Sequence, residues 1–555
     1  MKTVSDWFVR CLEAEGVKQI FGVPGEETED LLFSLEQSSI QFIPTRHEQG
    51  AAFMANVWGR LTGRAGVCLA TLGPGATNLV TGVADANLDK APLVAITAQG
   101  GFSRRHHESH QLIDVISLFK PITKWNSSVY EPGVVAEITR QAFRVAEAEK
   151  PGATHVELSE DIARLPAPDD AEALPRRTVR RPAPDAKALE EAVKLLSQAK
   201  RPLILAGNGA IRKLASEELT RLATTFHIPV ACTFMAKGAI SDRLDQSLMS
   251  IGMGFQDYVF EAVQRADLII CVGYDIAEYP PEKWNPERTA KVVHIDFEPA
   301  GVYNHYTPEV EVVGDIAAAL GEIHDRLKGS GYSSETNWHK PVRDRIVRDI
   351  ESYRLAEDDT VFTIPGALHV IREELSDDGL IISDVGSHKL WIGRNFPTHC
   401  PNGCIIGNGL ASMGISLPGG IAAALQSPGR PIVAAMGDGG ALMNIQELET
   451  AKRLGVPLVI VIFNDNDYGL ISWKQTMHRD RSVFTKIGNP DFAALAQSFG
   501  IRGEQPKRVG SFRTILRDAL KNSEPCVIEL PVNPAVNMQL INKLKSFWKN
   551  PSSVS

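Results

Sequence analysis

Short apolar runs, each too brief for a helix and most of them ending in a glycine-bearing turn, recur along this chain and constrain its fold more than any other feature. Pro431-Ile432-Val433-Ala434-Ala435-Met436 leads into Gly437-Asp438-Gly439, and Leu458-Val459-Ile460-Val461-Ile462 leads into Phe463-Asn464-Asp465. Gly66-Val67-Cys68-Leu69-Ala70 precedes Gly73-Pro74-Gly75, and after a helical stretch comes Pro92-Leu93-Val94-Ala95-Ile96. Strands without a polar face, alternating with amphipathic helices, belong to parallel sheets covered on both sides. The expected fold class is therefore α/β, built from doubly wound parallel sheets.

A chain of 555 residues exceeds what one core can serve. Residues 165–184 are rich in Pro, Ala, Asp and Arg, and residues 328–340 contain Gly-Ser-Gly and Ser-Ser, so both read as linkers. They divide the chain into domains at 1–165, 185–327 and 345–535, with a C-terminal tail at 536–555. The first and third share a pattern. In each, a glycine turn follows a strand, and an apolar strand beginning Pro-Leu-Val follows, 17 positions after Gly75 and 18 after Gly439. A stretch read as helix and containing a methionine, Met54 or Met413, precedes each turn. Two related domains with divergent roles are expected. The middle domain opens with Pro202-Leu203-Ile204-Leu205-Ala206-Gly207-Asn208-Gly209, a Rossmann-like start without the third glycine of a dinucleotide turn. A structural domain without a cofactor is expected there.

Composition removes several classes. Hydrophobic residues make up 43% and charged residues 23%, as in soluble globular protein. A net charge of −9 with no Lys/Arg stripe argues against nucleic acid as a partner. No apolar run reaches the ~18 residues of a membrane span. Residues 1–21 lack the basic start and apolar run of a secretory signal. Seven unpatterned cysteines fit reduced thiols in the cytoplasm, and the pair Cys400 and Cys404 lacks a second pair for zinc. His106-His107-Glu108-Ser109-His110 is not the His-Glu-x-x-His of zinc proteases.

The chemistry concentrates at two turns. Asp438 and Asp465 each follow an apolar strand, so two neighbouring strands would present both carboxylates at their carboxyl ends, the ligand edge of an open sheet. Glycines 437, 439 and 440 let backbone N–H groups approach a phosphate. Two carboxylates, a backbone carbonyl and phosphate oxygens make an octahedral magnesium site.

Gly437-Asp438-Gly439 with Asn464-Asp465 resembles the signature of thiamine-diphosphate enzymes, Asp465 standing where a second Asn is commoner. Arg46-His47-Glu48-Gln49-Gly50 resembles their glutamate motif, and Asn408-Gly409-Leu410-Ala411-Ser412-Met413-Gly414 the segment that holds the cofactor bent. The resemblance extends over nearly the whole chain and is closest to the acetolactate synthases, above all the catabolic, flavin-free type. It implies a pyrimidine-binding first domain, a Rossmann-like centre and a diphosphate-binding third domain. It implies magnesium on Asp438, Asp465 and the Asp467 carbonyl. Ser387, His388, Gly437, Gly439, Gly440, Tyr468, Gly469 and Leu470 would face the diphosphate side, with the Ala411 carbonyl and Met413 at the aminopyrimidine and the bend. Glu48 would hydrogen-bond the aminopyrimidine and promote its imino tautomer. Gln111 matches an active-site glutamine, and Pro24-Gly25 a loop whose backbone faces the substrate oxygen. Phe119 to Trp125 matches an acceptor-side segment.

The implied reaction is decarboxylation of pyruvate and carboligation to a second pyruvate, giving 2-acetolactate and CO2. The implied assembly is a homodimer or tetramer with sites shared between chains. FAD is expected to be absent, because Val272-Gly273-Tyr274-Asp275-Ile276 stands where flavin-binding synthases carry Arg-Phe-Asp-Asp-Arg. Another 2-oxo acid decarboxylase or carboligase, or a pyruvate oxidase, is the alternative within the fold. A non-catalytic relative would be expected to lack Glu48 or the Asp pair.

Overall fold

The computed structural model describes residues 3–549 except 178, 213, 214 and 254, so residues 1 and 2 of the first domain and 550–555 of the C-terminal tail lie outside it. The described residues form three six-stranded, all-parallel sheets flanked by helices. The first contains β1 (Gln19–Gly22), β2 (Gln41–Pro44), β3 (Gly66–Ala70), β4 (Leu93–Gln99), β5 (Trp125–Val129) and β6 (Ala153–Ser159). The second contains β7 (Pro202–Ala206), β8 (Val230–Cys232), β9 (Ser247–Ser250), β10 (Leu268–Val272), β11 (Val292–Asp296) and β12 (Val310–Val313). The third contains β13 (Leu380–Ser383), β14 (Cys404–Ile406), β15 (Ile432–Gly437), β16 (Val459–Asn464), β17 (Arg502–Glu504) and β18 (Cys526–Pro531).

The strand orders are β2-β1-β3-β4-β6-β5 in the first sheet and β14-β13-β15-β16-β18-β17 in the third, one topology used twice. The two glycine turns of the sequence pattern occupy equivalent places, after the third strand of each sheet. The second sheet, β12-β11-β10-β7-β8-β9, has the doubly wound order of a Rossmann domain.

The third sheet sits at the centre of the packing, and its period-2 side chains divide between two cores. Ile382, Ala434, Met436, Ile460 and Ile462 join Ala51, Ala55 and Val57 of the Glu48–Thr62 helix and Ile421 of the Ser416–Gln426 helix. Ile381, Val433, Ala435, Val459 and Val461 join Trp391 and second-domain residues such as Leu203 and Ile269. The two helices of the first core approach closely because Gly419 has no side chain; a Cβ there would meet Val57 Cγ2 at 2.7 Å. The segment set apart as a tail is, over Ala535–Lys549, a helix docked on the second core. It buries Val536, Leu540, Ile541, Leu544 and Phe547, at about 1.5–3 kcal/mol per fully buried side chain. The Phe547 ring meets Tyr258 edge-on at 5.0 Å, and Trp391 Nε1 donates to Asn537 Oδ1 at 2.7 Å.

Among the described residues no helix is long and apolar enough to cross a membrane.

Candidate active site

Parallel pairing places Gly437 beside Phe463, so Asp438 and Asp465 leave adjacent strands at the same edge. They border a cleft at that edge. Around it stand Ser387, His388, Met413, Gly437, Gly439, Gly440, Asp467, Tyr468, Gly469 and Leu470. Glycines are required here by close approach. A Cβ on Gly440 would meet Asp384 Oδ2 at 2.7 Å, and one on Gly469 would meet Asp465 Oδ2 at 2.5 Å.

Burial raises the Asp438 carboxyl above its ordinary range. Burial and then the charges of Asp438 and Asp467 push Asp465 up to about 7. A concentration of negative charge in a poorly hydrated cleft favours a cation there. Asp467 behaves differently. Burial opposes its ionisation, but hydrogen bonds from Thr485, Lys486 and Ser472 hold it below the usual carboxylate range. Lys486 Nζ donates to its Oδ2 at 3.0 Å, so this oxygen is engaged in an ion pair at the rim. No group of three or more His, Cys, Asp or Glu side chains is arranged for a metal among the described residues, so further donors would have to come from main chain and ligand.

His388 is 2% exposed, at the start of the Ser387–Asn395 helix, and its ring stacks on Phe463. Burial pushes its pKa down to about 3, against a hydrogen bond to the Asp384 carbonyl, so the ring is neutral. Its Nε2 is buried without a partner. An orphaned ring nitrogen beside glycine turns and paired carboxylates fits a bound diphosphate, whose charge would raise the ring's proton affinity.

In the first domain Glu48 opens the Glu48–Thr62 helix, capped by His47, whose Nδ1 accepts from the Gln49 N–H at 3.0 Å. The Glu48 carboxyl is buried, and Oε2 accepts from Asn78 Nδ2 at 2.9 Å. A Cβ on Gly75 would meet Glu48 Oε1 at 3.3 Å, and one on Gly73 would meet the Gln111 carbonyl at 2.3 Å, so Gln111 lies across the same turn. Gln111 is exposed, with φ +57°. The Gly25 N–H donates to Thr28 Oγ1 at 3.0 Å, and the absence of a side chain at Gly25 admits Thr71, one position after β3. The 119–125 segment runs away from this edge, and Lys124 Nζ bonds the carbonyls of Val145, Ala148 and Lys150. His106 and His107 are exposed and contact each other.

Three segments match models of thiamine pyrophosphate enzymes: the N-terminal TPP binding domain at 2–118, the central domain at 189–323 and the C-terminal TPP binding domain at 384–530. The catabolic acetolactate synthase of Raoultella terrigena is 34% identical over 555 residues, covering 97% of each chain. The acetolactate synthase of Bacillus subtilis is 32% identical, covering 96% of this chain and 93% of that protein. The probable acetolactate synthase large subunit of Methanocaldococcus jannaschii is also 32% identical, covering 96% and 92%. This chain belongs to the acetolactate synthase family.

One expectation for this family member needs correction. Met413 is not on a helix. It lies in the irregular segment before the Ser416–Gln426 helix, between Ala411 at φ +58° and Gly414 at φ +94°. Those left-handed conformations break any helix, and the Asp384 carboxylate holds the Gly414 N–H at 2.8 Å.

Sequence reasoning also missed Asn489. Its Nδ2 donates to Asp438 Oδ2 at 2.7 Å and to Asn464 Oδ1 and Asn466 Oδ1 at 3.1 Å, tying both acidic turns together. The only available signal, an Asn-Pro at 489–490, reads as an ordinary turn. Glu278 was missed too. Oε1 accepts from the Asn208 N–H at 2.9 Å, so a carboxylate fills the glycine turn of the Rossmann-like domain.

Proposed function

We propose that this protein is a thiamine diphosphate- and magnesium-dependent acetolactate synthase that condenses two pyruvates to 2-acetolactate with loss of CO2. The observation that carries the reading is the pairing of buried Asp438 with half-buried Asp465, beside glycine turns and His388, within the segment matching a TPP binding domain. Asp438, Asp465 and the Asp467 carbonyl would hold magnesium. Gly437, Gly439, Gly440, Ser387, His388 and the Tyr468–Leu470 turn would receive the diphosphate. The Ala411 carbonyl and Met413 would support the bend of the cofactor. Thiamine diphosphate, when bound, supplies a carbon nucleophile and an electron sink for the decarboxylation.

Glu48 would hold or release a proton at the pyrimidine ring of the bound cofactor, and Asn78 fixes its carboxyl. The apolar and glycine-rich walls keep water from competing with the second pyruvate. Gln111 and Gly25, at the same edge of the first sheet, are assigned to the substrate side.

The active unit is read as at least a homodimer. Every described residue around the cleft belongs to the third domain, whereas Glu48 is secured within the first. A site needing both is completed by a second copy related by a two-fold axis. FAD has no part in the reading. The Glu278 carboxylate occupies the glycine turn where a flavin nucleotide would need an anion site, and a Cβ on Gly209 would meet Gly273 Cα at 2.6 Å, so packing accounts for that glycine. All seven cysteines are free, six of them buried, which supports a reducing, cytoplasmic setting.

The direct test incubates purified protein with pyruvate, thiamine diphosphate and magnesium and identifies the product. Acetolactate supports the reading; acetaldehyde or acetate as the sole product overturns it.

A further inference from the structure

The segment Asn408–Gly414 has no regular structure, and Ala411 is held in the left-handed region at φ +58°, which an L side chain disfavours. Its shape is imposed from outside. The Asn408 and Gly409 N–H groups donate to Asp89 Oδ1 at 3.1 and 2.7 Å, and the Ser412 N–H donates to Asp85 Oδ2 at 3.1 Å. Asp85 lies on the Pro74–Leu88 helix and Asp89 caps it, so the first domain grips a loop of the third within one chain.

Both carboxylates are 0% exposed, and each is itself fixed. Asn56 Nδ2 donates to Asp85 Oδ1 at 3.0 Å, and Arg60 pairs with Asp89 Oδ2 at 3.2 Å. Asn208 Nδ2 reaches the Asp89 carbonyl at 3.0 Å, and Asn408 Nδ2 reaches the Glu278 carbonyl at 2.6 Å, so the second domain secures the same point. The pair also acts on Lys389, one position after His388: burial pulls its ammonium down to about 8, and the charges of Asp89 and Asp85 oppose the fall. Burial and the neighbouring Asp89 push Asp85 up to about 7. Buried carboxylates are costly unless fully bonded. A hydrophobic contact would join two domains as well; what carboxylates add is a defined geometry for particular amides.

We propose that Asp85 and Asp89 are positioning residues of the reaction, setting the loop that carries the Ala411 carbonyl and Met413 while touching neither cofactor nor substrate. The proposal rests on the reading of that loop as the support of the bent cofactor.

The test uses the full-length protein with Asp89→Ala, Asp89→Asn and Asp85→Ala. In Asp89→Ala, amide exchange across 408–414 should accelerate by about tenfold, the loss expected for hydrogen bonds to a charged acceptor. Exchange in β13, β15 and β16 should be unchanged. Affinity for thiamine diphosphate at saturating magnesium and kcat should both fall by about tenfold, with KM for pyruvate unchanged. Asp89→Asn keeps an oxygen for the two amides and should recover most of both. If Asp89→Ala does not fold, Asp85→Ala is expected to show the same pattern at Ser412 alone. Wild-type exchange over the loop in the folded variants would sink the clamp, and a loosened loop with wild-type affinity and kcat would sink the positioning role. Exchange accelerated equally in all three sheets would make the pair a domain adhesive and also count against it. Met413→Ala separates the underlying reading: wild-type cofactor affinity and turnover in that variant would remove the loop's assigned role while exchange in Asp89→Ala still reads the clamp.

Discussion

Asn489 Nδ2 donates a hydrogen bond to Asp438 Oδ2 across 2.7 Å, and the same amide reaches Asn464 and Asn466 at the head of the neighbouring turn. The two acidic turns are thus held in register before any ion arrives. Asn489→Ala should weaken magnesium and thiamine diphosphate binding together by about tenfold to a hundredfold, the worth of a hydrogen bond to a charged group. Asp438→Asn or Asp465→Ala should be more severe, because each removes a carboxylate proposed to hold the metal. Calorimetry with both ligands checks this; undiminished cofactor affinity in the aspartate variants would refute the metal assignment.

Glu48→Gln should leave the fold intact and slow turnover by about 10²–10⁴-fold, the usual loss for a positioned acid–base group. Proton–deuterium exchange at the thiazolium carbon measures the step directly. Wild-type exchange in the variant would remove Glu48 from the mechanism.

Glu447 is fully buried beside the Glu48 helix and accepts from the Arg46 and His47 N–H groups at 3.0 and 3.1 Å. Burial raises its pKa from 4.5 to about 7. The folded protein therefore keeps this proton while the unfolded chain loses it, and the folded state binds more protons between those values. Glu447's contribution to stability is full below pH 4.5, declines as pH rises to 7 and is level above. Glu447→Gln should lessen the fall in unfolding midpoint between pH 5 and pH 7.5. An identical fall in both proteins would show that the carboxyl titrates elsewhere.

Mixing inactive Glu48→Gln chains with inactive Asp438→Asn chains should restore activity once subunits exchange, because a hybrid dimer holds one site with both groups intact. Demonstrated exchange with activity still at zero would mean that each chain builds its site alone.

Protein purified without added flavin should release no stoichiometric flavin on denaturation and should form acetolactate all the same. Stoichiometric flavin in the supernatant would contradict the reading of Glu278 as the occupant of the glycine turn.

The α/β class and the Asp438 and Asp465 turns were legible in the sequence because their causes are local. A short apolar run such as Val459–Ile462, bounded by turn residues and rich in β-branched side chains, reads as a strand buried on both faces, and the residue leaving it lies at the ligand edge of a parallel sheet. The shared pattern of the first and third domains was legible for the same reason, since each glycine turn stands at a fixed distance from the next strand. Tertiary structure decided the rest. Asn489 reaches Asp438 from 51 positions away and Glu278 reaches Asn208 from 70, and side-chain hydrogen bonds over such separations leave no periodic trace. Met413, read as helical, became part of a loop because Asp384 in the third domain and Asp85 and Asp89 in the first bind the amides that a helix would have used for itself. A backbone N–H accepts whichever partner the assembled domains bring to it, and that competition is settled only when the domains pack.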